Sequence, residues 1–207
     1  MQLTDLGLGA HLELLQPHHA TEIFRLIDAN RAHLRQWLPF VDGTRSVEDT
    51  KRFREAGAER YARDGSFDAG IFDGGALAGV IGLHWVHAGN RSTSLGYWLG
   101  AGFQGRGLMT RSVGAVLEQC FVQLNLNRVS SAAATGNTRS NAVLQRCGFK
   151  LEGISREPEW LYDHFVDHNL YGMLQHDWPA LSSQLEIAAA RVDKGRLIPV
   201  FCTDYPC

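Results

Sequence analysis

The 207-residue chain has no apolar run near the ~18 residues that a helical membrane span requires. Its first residues, "MQLTDLGLGAHLELLQP", lack a basic stretch followed by an apolar one, so no secretion signal is expected and the default address is the cytosol. Cysteine is scarce: Cys120 and Cys147 read as small buried hydrophobes, and Cys202 and Cys207 fall in a C-terminal tail. The nine histidines form neither HExxH nor part of a paired CxxC pattern, so no metal is expected. Charge of either sign is not in excess, with 20 Lys and Arg against 22 Asp and Glu, which argues against a protein built to coat nucleic acid. There is no internal repeat and no low-complexity linker. At this length, one domain with a real core is expected rather than two.

The charge that is present is unevenly placed. Between residues 100 and 150 the only acid is Glu118, against Arg106, Arg111, Arg128, Arg139, Arg146 and Lys150. This basic segment contains "GYWLGAGFQGRGLM" (96–109), where an aromatic strand-like run meets Gly102, Gly105 and Gly107 and a helix-like pattern follows at once. A strand feeding a glycine turn and a helix start gathers unpaired backbone N–H groups at the positive helix end, which is an anion site. The nucleotide P-loop string GxxxxGK[ST] is absent. The dinucleotide fingerprint GxGxxG after a first strand does not fit either.

Apolar periodicity supplies the frame. Strands are predicted over 10–15, 67–72, 75–87, 93–99, 128–134, 149–155 and 165–174. Helices are predicted over 17–38, 46–65, 108–124 and 138–147, with a further one over 180–192. Ser46 and Asp49 form a capping-box start for the second helix, and Gly65 its stop. The order βααβββαβαββ is that of a mixed α/β (α+β) domain. It is predicted to span residues 1–178, with 179–207 a C-terminal extension of unknown role.

Gln104-Gly105-Arg106-Gly107-Leu108-Met109 has the form Q-x-x-G-x-apolar, and here the sequence resembles the GNAT superfamily of acyl-CoA-dependent N-acetyltransferases. Met109 stands where the family usually has Gly or Ala. Farther on, N-x-x-S-N (Asn137 to Asn141), GF-x-LEG (Gly148 to Gly153), Glu159-Trp160 and D-x-N-x-Y (Asp167 to Tyr171) resemble the Rim-type branch, which acetylates N-terminal amines of ribosomal proteins. The likeness covers roughly residues 10–178.

The resemblance implies a mostly antiparallel sheet of six to seven strands whose splayed central pair takes up acetyl-CoA. Tyr97, Trp98 and Leu99 would offer backbone groups to the pantetheine arm. Amides from Gln104 through Gly105, Arg106, Gly107, Leu108 and Met109, with the Thr110 hydroxyl, would cradle the pyrophosphate, and Asn137 would bond the arm. It further implies Glu159 as base and Ser140 as acid to the thiolate. Tyr171 is expected in the core, and Trp160 and Tyr162 are candidates for lining the acceptor pocket. Many relatives carry an acid where this chain has Ser94. The acceptor stays open between a protein N-terminus and a small amine or antibiotic, and a non-catalytic acyl-CoA-binding module remains a third reading. Family members often form homodimers, though no feature of this sequence demands one.

Overall fold

The computed structural model describes residues 2–178. Eight strands form one sheet in the order β1-β2-β3-β4-β5-β6-β8-β7. They are β1 (Gln2–Gly7), β2 (Ala10–Leu14), β3 (Asp68–Asp73), β4 (Ala76–His87), β5 (Ser92–Leu99), β6 (Arg128–Ala134), β7 (Lys150–Leu161) and β8 (His164–Leu174). The helices are α1 (Ala20–Ala29), α2 (Arg31–Leu34), α3 (Val47–Asp64), α4 (Leu108–Glu118) and α5 (Thr138–Arg146). The sheet is mixed and mostly antiparallel, as expected, but it has eight strands rather than six or seven. The extra one is β1, whose short run ends in the turn Gly7–Gly9 and pairs back on β2. The helix predicted over 180–192, with Cys202 and Cys207, lies outside the described residues.

Strand alternation sends side chains to two cores. Leu12, Ile71, Ile81, Leu83 and Leu95 meet Leu108, Val113, Val116 and Leu117 of α4 on one face. Leu15, Phe72, Leu77 and Val80 meet Ile23, Ile27 and Leu34 on the other. Cys120 and Cys147 are both fully buried in the first core, and burial pushes each thiol up to about 12, so both stay protonated and inert.

The helix predicted over 17–38 is broken at Asn30, whose backbone leaves helical geometry (φ −123°, ψ 16°). The break has a use. Asn30 Nδ2 donates to the Leu26 carbonyl at 2.8 Å, and its Oδ1 accepts the Ala101 N–H at 2.9 Å, tying the helix junction to the start of the glycine turn. The helix over 108–124 likewise divides, into α4 and a wider π-helical turn at Gln119–Gln123.

The caps of α3 match the sequence reading. The Ser46 hydroxyl accepts from Asp49 N–H, the Asp49 carboxylate accepts from Ser46 N–H at 2.9 Å, and Gly65 closes the helix at φ 76°. The Ser46 hydroxyl, with the Arg45 N–H and Arg52, holds Asp49 down to about 2. Because the folded value lies below the ordinary 3.8, the linked stability is present above pH 3.8 and is lost as pH falls through about 2. Ser46→Ala removes the cap and is expected to cost about 1 kcal/mol, read as a lower urea midpoint at unchanged m-value.

Candidate active site

The sheet forks at its centre. Strands β5 and β6 are its one parallel pair among the described residues, and they pair only from Ser92↔Arg128 to Ser94↔Ser130. The Ser131 hydroxyl reaches the Leu95 carbonyl at 2.9 Å, and beyond it the two strands part. From there β5 stays registered on β4 through Leu99↔Gly79, while β6 stays on β8 through Ala134↔His168. The edge of β5 from Gly96 to Leu99 that faces β6 therefore has no strand beside it among the described residues, about 10 Å of backbone edge at ~3.3 Å per residue. Tyr97, Trp98 and Leu99 all lie on this edge. Their side chains alternate, with Tyr97 and Leu99 toward α4 and Trp98 toward the core of α1 and α2.

The glycine turn closes the mouth of the fork. Ala101–Phe103 make one 3-10 turn, and Gly105 (φ 79°) and Gly107 (φ 68°) then take left-handed backbone. A Cβ on Gly105 would meet nothing within 4 Å, so the space above it is open. Gly107 is the N-cap of α4 with no side-chain cap, so the first-turn N–H groups of Leu108, Met109 and Thr110 form a bare helix start. Leu108 and Met109 themselves are buried in the core; a bulky Met109 is tolerated because only its amide belongs to the turn.

The polar residues of this segment divide between scaffold and site. The Gln104 N–H is taken up by the Ala101 carbonyl at 3.3 Å. Its side chain bridges the two sides of the fork, bonding His33 Nε2 at 2.9 Å and accepting from Arg139 of α5 at 2.8 Å. Arg106 folds back on Asp73 at 3.0 Å. Arg111 donates to the Arg106 carbonyl at 3.1 Å, and its buried Nε has no hydrogen-bond partner among the described residues. An unpaired guanidinium N–H beside a bare helix start suits a diphosphate.

Across the fork, Asn137 caps α5 by accepting from the Ser140 N–H at 3.1 Å. Ser140 also meets the β5 edge: its hydroxyl lies 3.1 Å from the Tyr97 hydroxyl, which donates to the Ser140 carbonyl at 3.2 Å. Burial holds the Tyr97 phenol far above its ordinary value, so it remains a donor. The motif pieces N-x-x-S-N and D-x-N-x-Y turn out to be one network. Buried Asn141 donates to Ala134 and Asn137 carbonyls and accepts from Asn169 (2.7 Å) and Tyr171 (2.8 Å), fixing α5 to β6 and β8. Tyr171 is in the core, 1% exposed.

The strand predicted over 149–155 runs on to Leu161, and Glu159 lies within this longer β7. The ladder to β8 breaks between Ser155 and Glu159, where Pro158 has no N–H and Glu157 turns to φ 53°, and then resumes at Glu159↔Val166. The Glu157 N–H that this frees donates to Asp167 at 2.8 Å. Glu159 then lies 3.3 Å from His168, a partner that sequence reasoning missed because it sits inside an ordinary strand pattern. Trp160 faces the opposite side, more than half exposed and edge-on to Phe165 at 4.8 Å. Tyr162 donates to the Leu38 carbonyl and carries Arg35 3.9 Å above its ring, which fastens the β7–β8 hairpin to the loop after α2. Between hairpin and loop runs an open cleft of about 470 Å³, lined by Trp37, Ala134, Thr135, Gly136, Phe165 and Asp167.

Residues 11–150 match the acetyltransferase (GNAT) domain family. The chain belongs to this family. It is an acetyl-CoA-dependent N-acetyltransferase. It is 34% identical over 173 residues to the "Putative ribosomal N-acetyltransferase YdaF" of Bacillus subtilis, covering 81% of this chain and 92% of that one. It is 29% identical over 163 residues to the ribosomal-protein-serine acetyltransferase of Escherichia coli, covering 79% and 91%. Among solved structures it resembles RimL, the ribosomal L7/L12 alpha-N-protein acetyltransferase in complex with coenzyme A, with a TM-score of 0.79 at 26% identity over 82% of this chain and 96% of that one. It also resembles the microcin C7 self-immunity acetyltransferase MccE in complex with acetyl-CoA and AMP, with a TM-score of 0.77 at 26% identity over 82% and 94%.

Proposed function

We propose that this GNAT enzyme moves the acetyl group of acetyl-CoA onto the N-terminal α-amine of a protein, a ribosomal protein being the first candidate. The observation that carries the reading is the cleft beside the fork: it is open to solvent along the hairpin, as an extended chain end requires, rather than closed around a small molecule. The names of relatives in two bacteria point the same way. The pantetheine arm would lie along Gly96–Leu99 and the diphosphate on the amides of Gly105 to Thr110, with Arg111 beside it. An Asn137 amide whose oxygen is already used for capping keeps its NH2 for the arm.

The chemistry needs a neutral amine and a protonated leaving thiolate. An α-amine has pKa ~8 against ~10.4 for lysine, so freeing it at pH 7 costs about 3 kcal/mol less and a modest base suffices. Glu159 takes this first proton from the incoming ammonium group. Ser140, hydrogen-bonded to a phenol that stays protonated, supplies the proton for the thiolate.

The test is thiol release from acetyl-CoA with Ser-, Ala- and Met-starting peptides, simple primary amines and aminoglycosides. Turnover on peptides with kcat/KM lowered about 10²-fold by Glu159→Gln, at unchanged acetyl-CoA affinity, is the expected result. Turnover confined to small amines would transfer the chain to the second reading. Acetyl-CoA binding without turnover on any acceptor would favour the non-catalytic module.

A further inference from the structure

A polar pair sits at the root of the fork on the side away from Ser140. Gly82 and Gly96 face each other directly across β4 and β5. With no side chains there, the space above them is filled from elsewhere. A Cβ on Gly82 would lie 2.5 Å from Asp68 Oδ1, and a Cβ on Gly96 would lie 2.2 Å from His84 Nε2. His84 gets there through a β-bulge: between the pairs Leu83↔Leu95 and Val86↔Thr93, two residues of β4 oppose only Ser94 of β5. Its ring fills the space over Gly96, two residues past Ser94, the last residue of β5 that pairs with β6. Outwardly exposed, it makes no hydrogen bond or ion pair among the described residues.

We infer that His84 is a second proton acceptor in this acetyl transfer, taking the proton that the amine nitrogen must shed once it has attacked the thioester. The inference rests on the acetyl-CoA placement proposed above, which brings the free β5 edge beside the arm. An ammonium acceptor loses two protons on its way to an amide. The first leaves through Glu159 before attack. As the N–C bond forms, the carbonyl π pair moves to oxygen; it returns as the C–S bond breaks and sulfur leaves with the bonding pair. The nitrogen's second proton passes to His84 Nε2 and then to solvent, while the thiolate takes one proton from Ser140, itself reprotonated from water. The net release is one proton per turnover, which balances ammonium plus thioester against amide plus thiol.

The surroundings of His84 suit the task. The charged groups that act on it are Asp68 of β3 and Arg60 of α3, and Arg54 of α3 is bound to the same Asp68. The protein around the ring, aided by Arg60 and opposed by Asp68, brings its pKa below 6.5, so it is neutral and able to accept at pH 7. Ser94, the β5 residue opposite the bulge, offers only a hydroxyl, and His84 brings an imidazole to that point from the neighbouring strand.

The experiment measures kcat at saturating acceptor from pH 5.5 to 8.5 for the native chain, His84→Gln and Glu159→Gln, on whichever acceptor the native chain turns over. The acceptor reading thus stands or falls on the native chain alone, and this inference on the variants. His84→Gln is expected to lower kcat about 10²-fold at pH 7.5, to abolish the acid limb below pH 6.5, and to regain activity with added free imidazole, all at unchanged acetyl-CoA affinity and melting temperature. Glu159→Gln is expected to keep that limb. Gly96→Ala, which must push the ring off its seat, is expected to lose the limb as well. An acid limb that persists in His84→Gln, or a kcat within twofold of native, overturns the inference. So does a loss that imidazole does not restore.

Discussion

Asp68→Asn is expected to destabilise the protein by about 3–5 kcal/mol, the cost of breaking a buried ion pair from one side. The carboxylate receives Arg54 Nη1 at 2.9 Å and Arg60 Nη2 at 2.7 Å. Arg54 is 3% exposed, and the Nε atoms of both arginines are buried without a hydrogen bond, so little else offsets their desolvation. An amide keeps the shape but removes the charge, leaving a buried guanidinium uncompensated. Two glycines give the cluster its room: a Cβ on Gly57 would sit 2.1 Å from the Arg54 guanidinium, and one on Gly82 would strike Asp68 itself. Urea unfolding of Asp68→Asn against the native chain measures the effect. Adding Arg54→Met should recover part of the loss, because the pair couples. A cost below about 1 kcal/mol would mean that the cluster behaves like a surface ion pair and that its burial does not matter.

This cluster marks where sequence reasoning stopped. The frame was legible because its signals are local: the Ser46–Asp49 box, the alternation through 75–87, the glycines that end one strand and begin α4. Family motifs carried Gln104, Asn137, Ser140 and Glu159. Their joint meaning was not legible, because it is made by strand order. Asn141 lies 28 and 30 residues before Asn169 and Tyr171, and the three become one network only when β8 inserts between β6 and β7. Asp68 and His84 were invisible for a related reason. One is the polar first residue of β3 and the other an exposed position of β4; the two empty glycine positions that bring them to the fork appear only once β4 and β5 are in register. The break at Asn30 was missed because the apolar spacing of α1 runs on past it, while the contact that uses the break, to Ala101, is 71 residues away. The strand predicted to stop at 155 continues because the interruption at Pro158 is a bulge, and the ladder resumes at Glu159.

Gly107→Asp is expected to weaken acetyl-CoA binding by about 10³-fold or more while leaving the fold nearly intact. The fold tolerates the change because a Cβ there meets only Arg111 Nη1, at an ordinary 3.5 Å, and because aspartate is among the residues that accept left-handed backbone, at roughly 1 kcal/mol. Binding does not tolerate it. A carboxylate at the N-cap of α4 occupies the helix start with a negative charge of its own and draws Arg111 toward itself. Against a diphosphate about 4 Å away, one unit charge is worth on the order of 4 kcal/mol at an effective dielectric of 20, close to three decades in affinity. Gly107→Asn supplies the control, with the same shape and backbone strain but no charge, and should lose about tenfold or less. Calorimetric titration with coenzyme A, and with pantetheine lacking the diphosphate, separates the terms. Equal losses for Asp and Asn would mean that the turn is merely conformational and the anion sits elsewhere. A wide gap with coenzyme A that vanishes with pantetheine locates the diphosphate on the bare amides of α4, and with it the direction in which the arm must run toward Gly96.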